Sequence, residues 1–428
     1  TAPLNRKMYF LTDPIEDRAK DWLDYKINYQ ATFAAQLMYP MVDTYEVMPW
    51  PDRIYQGLYR IAGTDQKERI PRSYSTQMQV MINTLNDIRI SDKQINGTHG
   101  IGVLMANSLM FQRFPNHNGY DDPQFSSFYG QTLPLLKRGI PVELVHMENT
   151  PFQETFKGLQ VFVMSYSNMK PMKPEYHNYL AAWVKKGGTL VYCGEDVDPY
   201  QTVLEWWNTE GNAYKAPSEH LFEAMGLSRT PGDGTYRSGK GTVIVMREDP
   251  KHFVLKNGND RKYFETVASA YLNQTGKKIE IKNNFVVERG PYTIAAVMDE
   301  SSSKEPLKLS GLYIDLFDKD LPVLTMKQIN PGEQGYLYDL SKVSGKVKAK
   351  VLCGASRIYD EKVGKQSYSF VAKSPLHTTN VSRILLPCKP GKVLVNGKTE
   401  QPEWDESSKT LLLSFENDPA GVNVFIEW

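Results

Sequence analysis

The sequence is poor in several features that would have fixed its chemistry early. It has three cysteines, Cys193, Cys353 and Cys388, and no CxxC pair, which excludes the usual redox and zinc motifs. An odd number cannot all pair within one chain. Buried thiols are expected, with Cys353 and Cys388 the pair that could meet across strands. The seven histidines show no metal-ligand spacing, so no metal site is expected. Neither sign of charge dominates: Lys plus Arg total 50 against 49 Asp plus Glu. That balance argues against nucleic acid or an anionic membrane as partner, because both need a basic surplus. No apolar run approaches the ~20 residues of a spanning helix. No signal peptide, internal repeat or low-complexity tract is present. Thr1 stands so near a strand-like run that it reads as a processed or truncated end. A periplasmic or secreted location is favoured over a cytoplasmic one. Asn-x-Ser/Thr triplets at Asn96, Asn273 and Asn380 are too common by chance to settle the compartment.

What is present is a long chain of changing texture. Its 428 residues suffice for about three domains at ~150 residues each. Aromatics reach 11%, which suits sugar binding and large cores alike. Residues 7–11 read as a buried strand. Ala19, Trp22, Leu23, Ile27, Ala34, Leu37 and Met38 then recur at helical spacing from Pro14 to Tyr39, and Pro40 ends the run. A strand over 41–48 and a helix over 73–88 follow. This strand–helix–strand–helix order over residues 1–95 is the unit of a parallel barrel or sheet, but two units cannot close a barrel of eight. Over 96–276, strands at 100–106, 140–147, 159–166, 188–194 and 241–246 alternate with helices near 126–138, 173–186, 199–208 and 217–226. That alternation predicts a doubly wound parallel sheet. From 277 onward short alternating strands and turns predict an all-β region, read as two β-sandwiches over 277–344 and 345–428. The expected fold class is therefore α/β plus all-β.

Several motifs fail on inspection. "GTYRSGKG" carries Walker-like spacing, but Gly241 replaces the Ser or Thr that binds magnesium, and a strand follows it. "GTHGIG" at 97–102 precedes its strand, so it is no dinucleotide fingerprint. The turn after "LQVFVMSY" holds Ser167, Asn168 and Met169 with no cysteine, Cys193 has no evident histidine, and Ser165 lacks the G-x-S-x-G setting. The doubly wound region reads as catalytically blank.

Two stretches remain. "FLTDPIED" ends a strand in Asp13, Glu16 and Asp17, and "YEVMPWPDR" crowds Tyr45, Glu46, Trp50, Asp52 and Arg53 at the end of the next. Asp13, Pro14 and Glu16 can form a helix-capping box. The same carboxylates can equally project into a sugar cleft at the carboxyl end of a barrel strand, where barrels place catalysis. Glu46 can be an outward-facing strand residue, yet its neighbours mix a flat apolar face with hydrogen-bonding groups, as a sugar subsite requires.

Strand, "DPIED", long helix and a strand ending in "YEVMPWPDR" resemble the last two β/α units of a clan A glycoside hydrolase barrel. Trp50 matches the aromatic that ends strand eight in that clan. "LPLLKRGIPVELVHM" and "YLAAWVKKGGTLVYCG" resemble the amidotransferase-like trimerisation domain of family 42 β-galactosidases, which lacks the amidotransferase nucleophile. The β-rich end resembles the small sandwiches that close such enzymes. The resemblance implies the end of a (β/α)8 barrel, a doubly wound amidotransferase-like domain and two β-sandwiches. It implies a retaining mechanism without cofactor, Glu16 as nucleophile with Asp13 as runner-up, and Tyr45, Glu46, Trp50, Asp52 and Arg53 lining the sugar subsite. The general acid belongs to strand four, upstream of Thr1, so the upstream barrel portion would be a partner of this chain. The strand-eight motif departs from family 42 itself, which points to a sister family. A carbohydrate substrate and a homo-oligomer, in the family a trimer, are further implications. The competing reading is a non-catalytic carbohydrate-binding or assembly protein in which "DPIED" only caps a helix.

Overall fold

The computed structural model describes residues 7–12, 21–47, 51–113, 122–256, 258–343, 345 and 348–428. The chain forms two compact units. One comprises residues 96–283 with short flanking pieces. The other joins residues 8–95 to 284–299 and 304–428.

The joined unit begins with β1 (Phe10–Thr12), α1 (Trp22–Leu37) and β2 (Tyr45–Val47). β1 and β2 pair in parallel, Phe10 with Tyr45, Leu11 with Glu46 and Thr12 with Val47, as a strand–helix–strand unit requires. α1 starts eight residues later than the spacing predicts. Its N-cap is Asp21, whose carboxylate accepts from the amides of Leu23 and Asp24. The box at Asp13, Pro14 and Glu16 therefore does not open this helix, and those residues lie outside the described part of the chain. Buried Tyr25, Tyr29, Phe33 and Leu37 recur every four residues down one face of α1. A short helix α2 (Pro51–Tyr55), a hairpin of β3 (Leu58–Arg60) and β4 (Lys67–Arg69), and α3 (Arg72–Thr84) follow. α3 is mostly buried although it carries Ser75, Thr76, Gln77 and Gln79. Its polar groups find main-chain partners: Thr76 donates to the Thr379 carbonyl at 2.9 Å, Gln77 to Phe317 at 2.5 Å and Asn83 to Gly354 at 3.0 Å. A buried polar helix is stable only when so satisfied.

The inserted unit is a three-layer α/β sandwich. Strands β5 (Ile101–Met105), β6 (Glu143–His146), β7 (Val161–Met164), β8 (Thr189–Cys193), β9 (Gly234–Ser238) and β10 (Gly241–Met246) make one sheet in the order β6-β5-β7-β8-β10-β9. All neighbours are parallel except β9, an antiparallel edge strand. The doubly wound expectation holds, and the failed phosphate motif is the turn between β9 and β10. β7 and β8 are buried at every position, as central parallel strands covered on both faces must be. Helices α4 (Met110–Arg113), α5 (Ser126–Leu136), α6 (Glu175–Lys185), α7 (Pro217–Ala224), α8 (His252–Leu255) and α9 (Asp260–Thr275) provide the cover. Leu180, Val184, Leu221 and Phe222 pack on one face. Leu135, Phe253, Tyr263 and Val267 pack on the other. The expected helix over 199–208 is only a 3-10 turn at Pro199–Thr202.

In the β-rich part, β11 (Asn284–Arg289), β12 (Tyr292–Val297), β13 (Leu307–Asp315), β14 (Val323–Ile329) and β15 (Gln334–Asp339) form one antiparallel sheet, ordered β11-β12-β15-β13-β14. A separate sandwich was expected over 277–344. Instead, aromatic residues of this single sheet meet a helix layer: Tyr336 packs edge-on against Phe33 of α1 at 5.4 Å, and its hydroxyl donates to Thr84 of α3 at 2.8 Å. A true two-sheet sandwich follows. It comprises β16 (Lys350–Gly354), β17 (Arg357–Val363), β18 (Ser367–Lys373), β19 (Thr379–Leu385), β20 (Lys392–Val395), β21 (Lys398–Thr399), β22 (Glu403–Asp405), β23 (Thr410–Glu416) and β24 (Val422–Glu427). The sheets run β16-β19-β23-β22 and β17-β18-β24-β20-β21, around a core that includes Tyr368, Phe370, Leu411 and Ile426. All three cysteines are free. Cys193 and Cys353 are buried, whereas Cys388 is exposed, which corrects the expectation that all three are buried.

Replacing Asp21 by Ala removes both cap bonds and should destabilise the joined unit by about 1 kcal/mol. Urea unfolding read against Asp13→Ala tests the assignment. Equal losses for the two variants would move the cap back to Asp13.

Candidate active site

The parallel register of β1 and β2 fixes where the candidate site begins. Thr12 lies beside Val47, so the chain passes into "DPIED" and into "MPWPDR" from the same end of the pair. Along β2, neighbouring side chains point to opposite faces. Glu46 is exposed and shares its face with Leu11, which is 58% exposed. Tyr45 points the other way, and its hydroxyl is occupied: it donates to the Val42 carbonyl and accepts from Arg289, both at 2.8 Å. Burial pushes the Tyr45 hydroxyl above its usual pKa, against the pull of the Arg289 charge. Arg53 lies in α2, and its carbonyl accepts from the Tyr59 hydroxyl at 2.7 Å. Gly57 permits this closure, since a Cβ there would stand 2.4 Å from the Arg53 carbonyl oxygen. Asp13, Glu16, Asp17 and Trp50 lie outside the described residues, as does the side chain of Asp52.

Arg289, which the sequence did not single out, holds this region together. It is 2% exposed. Its guanidinium donates to the carbonyls of Leu37, Tyr39, Val42 and Arg89 at 3.2, 3.4, 2.7 and 2.8 Å, besides the Tyr45 hydroxyl. The last turn of α1 has no basic residue of its own, so Arg289 supplies the cation that a helix C-terminus favours. It thereby ties the end of α1 to the start of β2.

Doubly wound sheets bind ligands at the carboxyl end of their strands, here the end that follows β5, β7, β8 and β10. It is packed with internal bonds. Ser165 Oγ donates to Ser167 Oγ at 3.0 Å, and Ser167 Oγ donates to Asp249 at 2.7 Å. No histidine hydrogen-bonds either serine among the described residues. Lys170 and Asp198 pair at 2.7 Å, with side chains 3% and 2% exposed. Burial pushes the Cys193 thiol far above its usual pKa, away from nucleophilic use. Among the described residues no group of three His, Cys, Asp or Glu could hold a metal. The histidines nevertheless meet in one place: His177 Nδ1 lies 2.8 Å from His220 Nδ1, and His177 Nε2 lies 2.6 Å from the Tyr166 hydroxyl. Burial, then the neighbouring ring, holds His177 well below the usual histidine pKa, and burial lowers His220 as well.

No protein-family model matches the sequence, and no curated protein matches it. Similar solved structures include a β-galactosidase from Bacillus circulans sp. alkalophilus, at 12% identity and TM-score 0.35, covering 61% of this chain and 43% of that one. A β-galactosidase from the haloarchaeon Halorubrum lacusprofundi has 12% identity and TM-score 0.38, covering 71% of this chain and 50% of that one. A rhamnosidase from Novosphingobium sp. PP1Y has 10% identity and TM-score 0.34, covering 94% of this chain and 41% of that one. The chain spans half or less of the length of these structures. A likeness to family 42 β-galactosidases over part of the chain is thus found; at these scores it assigns no activity.

Two measurements probe these anchors. Arg289→Met should strip the guanidinium from four carbonyls, of which only Tyr39 and Val42 keep another donor, and cost about 3 kcal/mol, read by urea unfolding. Arg289→Lys should recover only part of the loss, because an ammonium cannot reproduce the fork. A second effect concerns acid. The unfolded chain takes up a proton at His177 below about pH 6.5, while the folded state refuses it. Stability is therefore full above that pH and erodes as pH falls through the window below it. The thermal midpoint should drop from pH 7.5 to 5.0, and more gently in His177→Gln. Parallel profiles would show that the pair does not control acid sensitivity.

Proposed function

We propose that this chain is the C-terminal part of a retaining glycoside hydrolase acting on oligo- or polysaccharides, with residues 1–95 as the end of its (β/α)8 barrel. The observation that carries the reading is the in-register parallel pairing of β1 with β2, which sends both acidic stretches out from one end of the pair. Asp21 as the cap of α1 supports it by freeing Asp13 and Glu16 from that duty.

In this reading Glu16 is the nucleophile, with Asp13 the alternative. Its carboxylate attacks the anomeric carbon and forms a glycosyl-enzyme that water then hydrolyses. The acid/base partner must stand ~5–5.5 Å away, on a barrel strand upstream of residue 1, so the chain alone is inactive. Trp50 offers the sugar an apolar face, and Glu46, Asp52 and Arg53 bind its hydroxyls. Tyr45 shapes the subsite through its place beside Arg289. The α/β unit serves assembly, as in a trimer, and the protein acts in the periplasm or outside the cell. The chemistry needs no cofactor.

One observation favours the non-catalytic alternative, a carbohydrate-binding or assembly protein: the polar end of Tyr45 is spent inside the fold. Glu16→Gln in the protein carrying its upstream barrel strands separates the two. The catalytic reading expects kcat to fall on the order of 10³-fold or more with the thermal midpoint unchanged. A lowered midpoint with full turnover would reject it, and the same test on Asp13→Asn decides between the two carboxylates.

A further inference from the structure

We propose that the outer face of the β17-β18-β24-β20-β21 sheet binds a neutral carbohydrate, seated on the ring of Phe425. This face carries a cleft of about 470 Å³, within the ~300–1,000 Å³ of small-molecule sites. The inward positions of β18 and β24, among them Tyr368, Phe370, Val424 and Ile426, fill the sandwich core. Strand alternation then turns Ser369, Asn423 and Phe425 outward. Phe425 is 37% exposed and stands between Ser369 and Leu394 on the adjoining strands. It is a flat apolar floor on the middle strand of the sheet.

The rim is polar. Asp360, Lys362, Ser369 and Asn423 line the cleft, and none of their side chains is hydrogen-bonded to another described residue. Most other polar side chains of the sandwich are engaged; Ser356, Asn380, Ser382 and Asn417, for example, bond to one another. Asp360 and Lys362 reach the cleft because β17 is irregular there: its register against β18 shifts between Tyr359 and Lys362, and Asp360 adopts φ +50°. Such bulges re-aim side chains, and Asp accepts this left-handed conformation more readily than most residues.

The chemistry selects the ligand. Asp360 accepts, Lys362 donates, and Ser369 and Asn423 do both, which matches hydroxyl groups that themselves donate and accept. A pyranose adds an apolar C–H face to cover Phe425. The single positive and single negative charge cancel, so a phosphate backbone or other polyanion finds no basic surplus. An extended peptide would need an open sheet edge for main-chain bonds, whereas β18 and β24 are each paired on both sides. The cleft is lined by residues of the sandwich alone and acts without turnover, so it does not depend on Glu16.

Electrophoresis of the 428-residue protein through native gels containing galactan, xylan or mixed-linkage β-glucan, with heparin as the anionic control, tests this. The expected result is retardation in at least one neutral polysaccharide, with Phe425→Ala raising the apparent Kd about tenfold and Asn423→Ala weakening retention as well. Both changes are at the surface, and an unchanged thermal midpoint confirms the fold. Glu16→Gln should retard like the parent, whatever its effect on catalysis. No retardation in any neutral gel, retardation in heparin alone, or retention indifferent to both surface variants would overturn the proposal.

Discussion

One buried guanidinium sets the geometry on which the candidate active site depends. An arginine desolvated to this degree normally answers to a carboxylate. Arg289 instead answers to the negative end of a helix and to the carbonyls that follow it. The charge is spread over neutral oxygens, which costs less reorganisation than an ion pair and fixes the main chain itself. Because the bonds reach α1, the turn after it, β2 and the segment after α3, the β-sheet that contributes Arg289 sets the angle at which the two short parallel strands stand. Strands of three residues could not set that angle on their own.

The α/β unit applies the opposite logic. At the end of its sheet where related architectures open a crevice, serine and lysine bond to aspartate, and two histidines bond to each other and to a tyrosine. Charges and hydroxyls that could act on a substrate are consumed in holding the segments after β7, β8 and β10 together. A polar interior of this kind is stiff and specific.

How much of this was legible depended on distance along the chain. The doubly wound sheet could be read because β7 and β8 are unbroken apolar runs and their helices lie next to them. α9 carries the right spacing, Tyr263, Val267, Ala270 and Tyr271, yet its stripe is narrow and polar residues dominate the rest, so it passed unnoticed. "DPIE" contains every residue a cap prefers, and so does Asp21 eight positions on; local preference alone could not choose. The strands of 284–339 alternate as half-buried strands should, but alternation reveals only that one face is covered, not whether a sheet or a helix covers it. Arg289 was invisible, since its partners lie some two hundred residues earlier. The His177 and His220 pair has no signature either, because 43 residues separate the two rings and only the packing of α6 against α7 joins them.

The order of the elements along the chain bears on how the molecule is made. The α/β unit is inserted between α3 and β11, so the sheet that receives α1 and the sandwich that receives α3 are synthesised only after it. Nearly all of the inserted unit is the continuous stretch 96–283, which can fold as soon as it emerges. The aromatic face of α1 and the polar side chains of α3 must wait, exposed and unsatisfied, for partners some 240 to 300 residues downstream. Contacts of such separation form slowly, and apolar surface waiting in the meantime invites aggregation. The chain thus carries a built-in delay between the birth of its candidate site and the arrival of the sheet that shapes it.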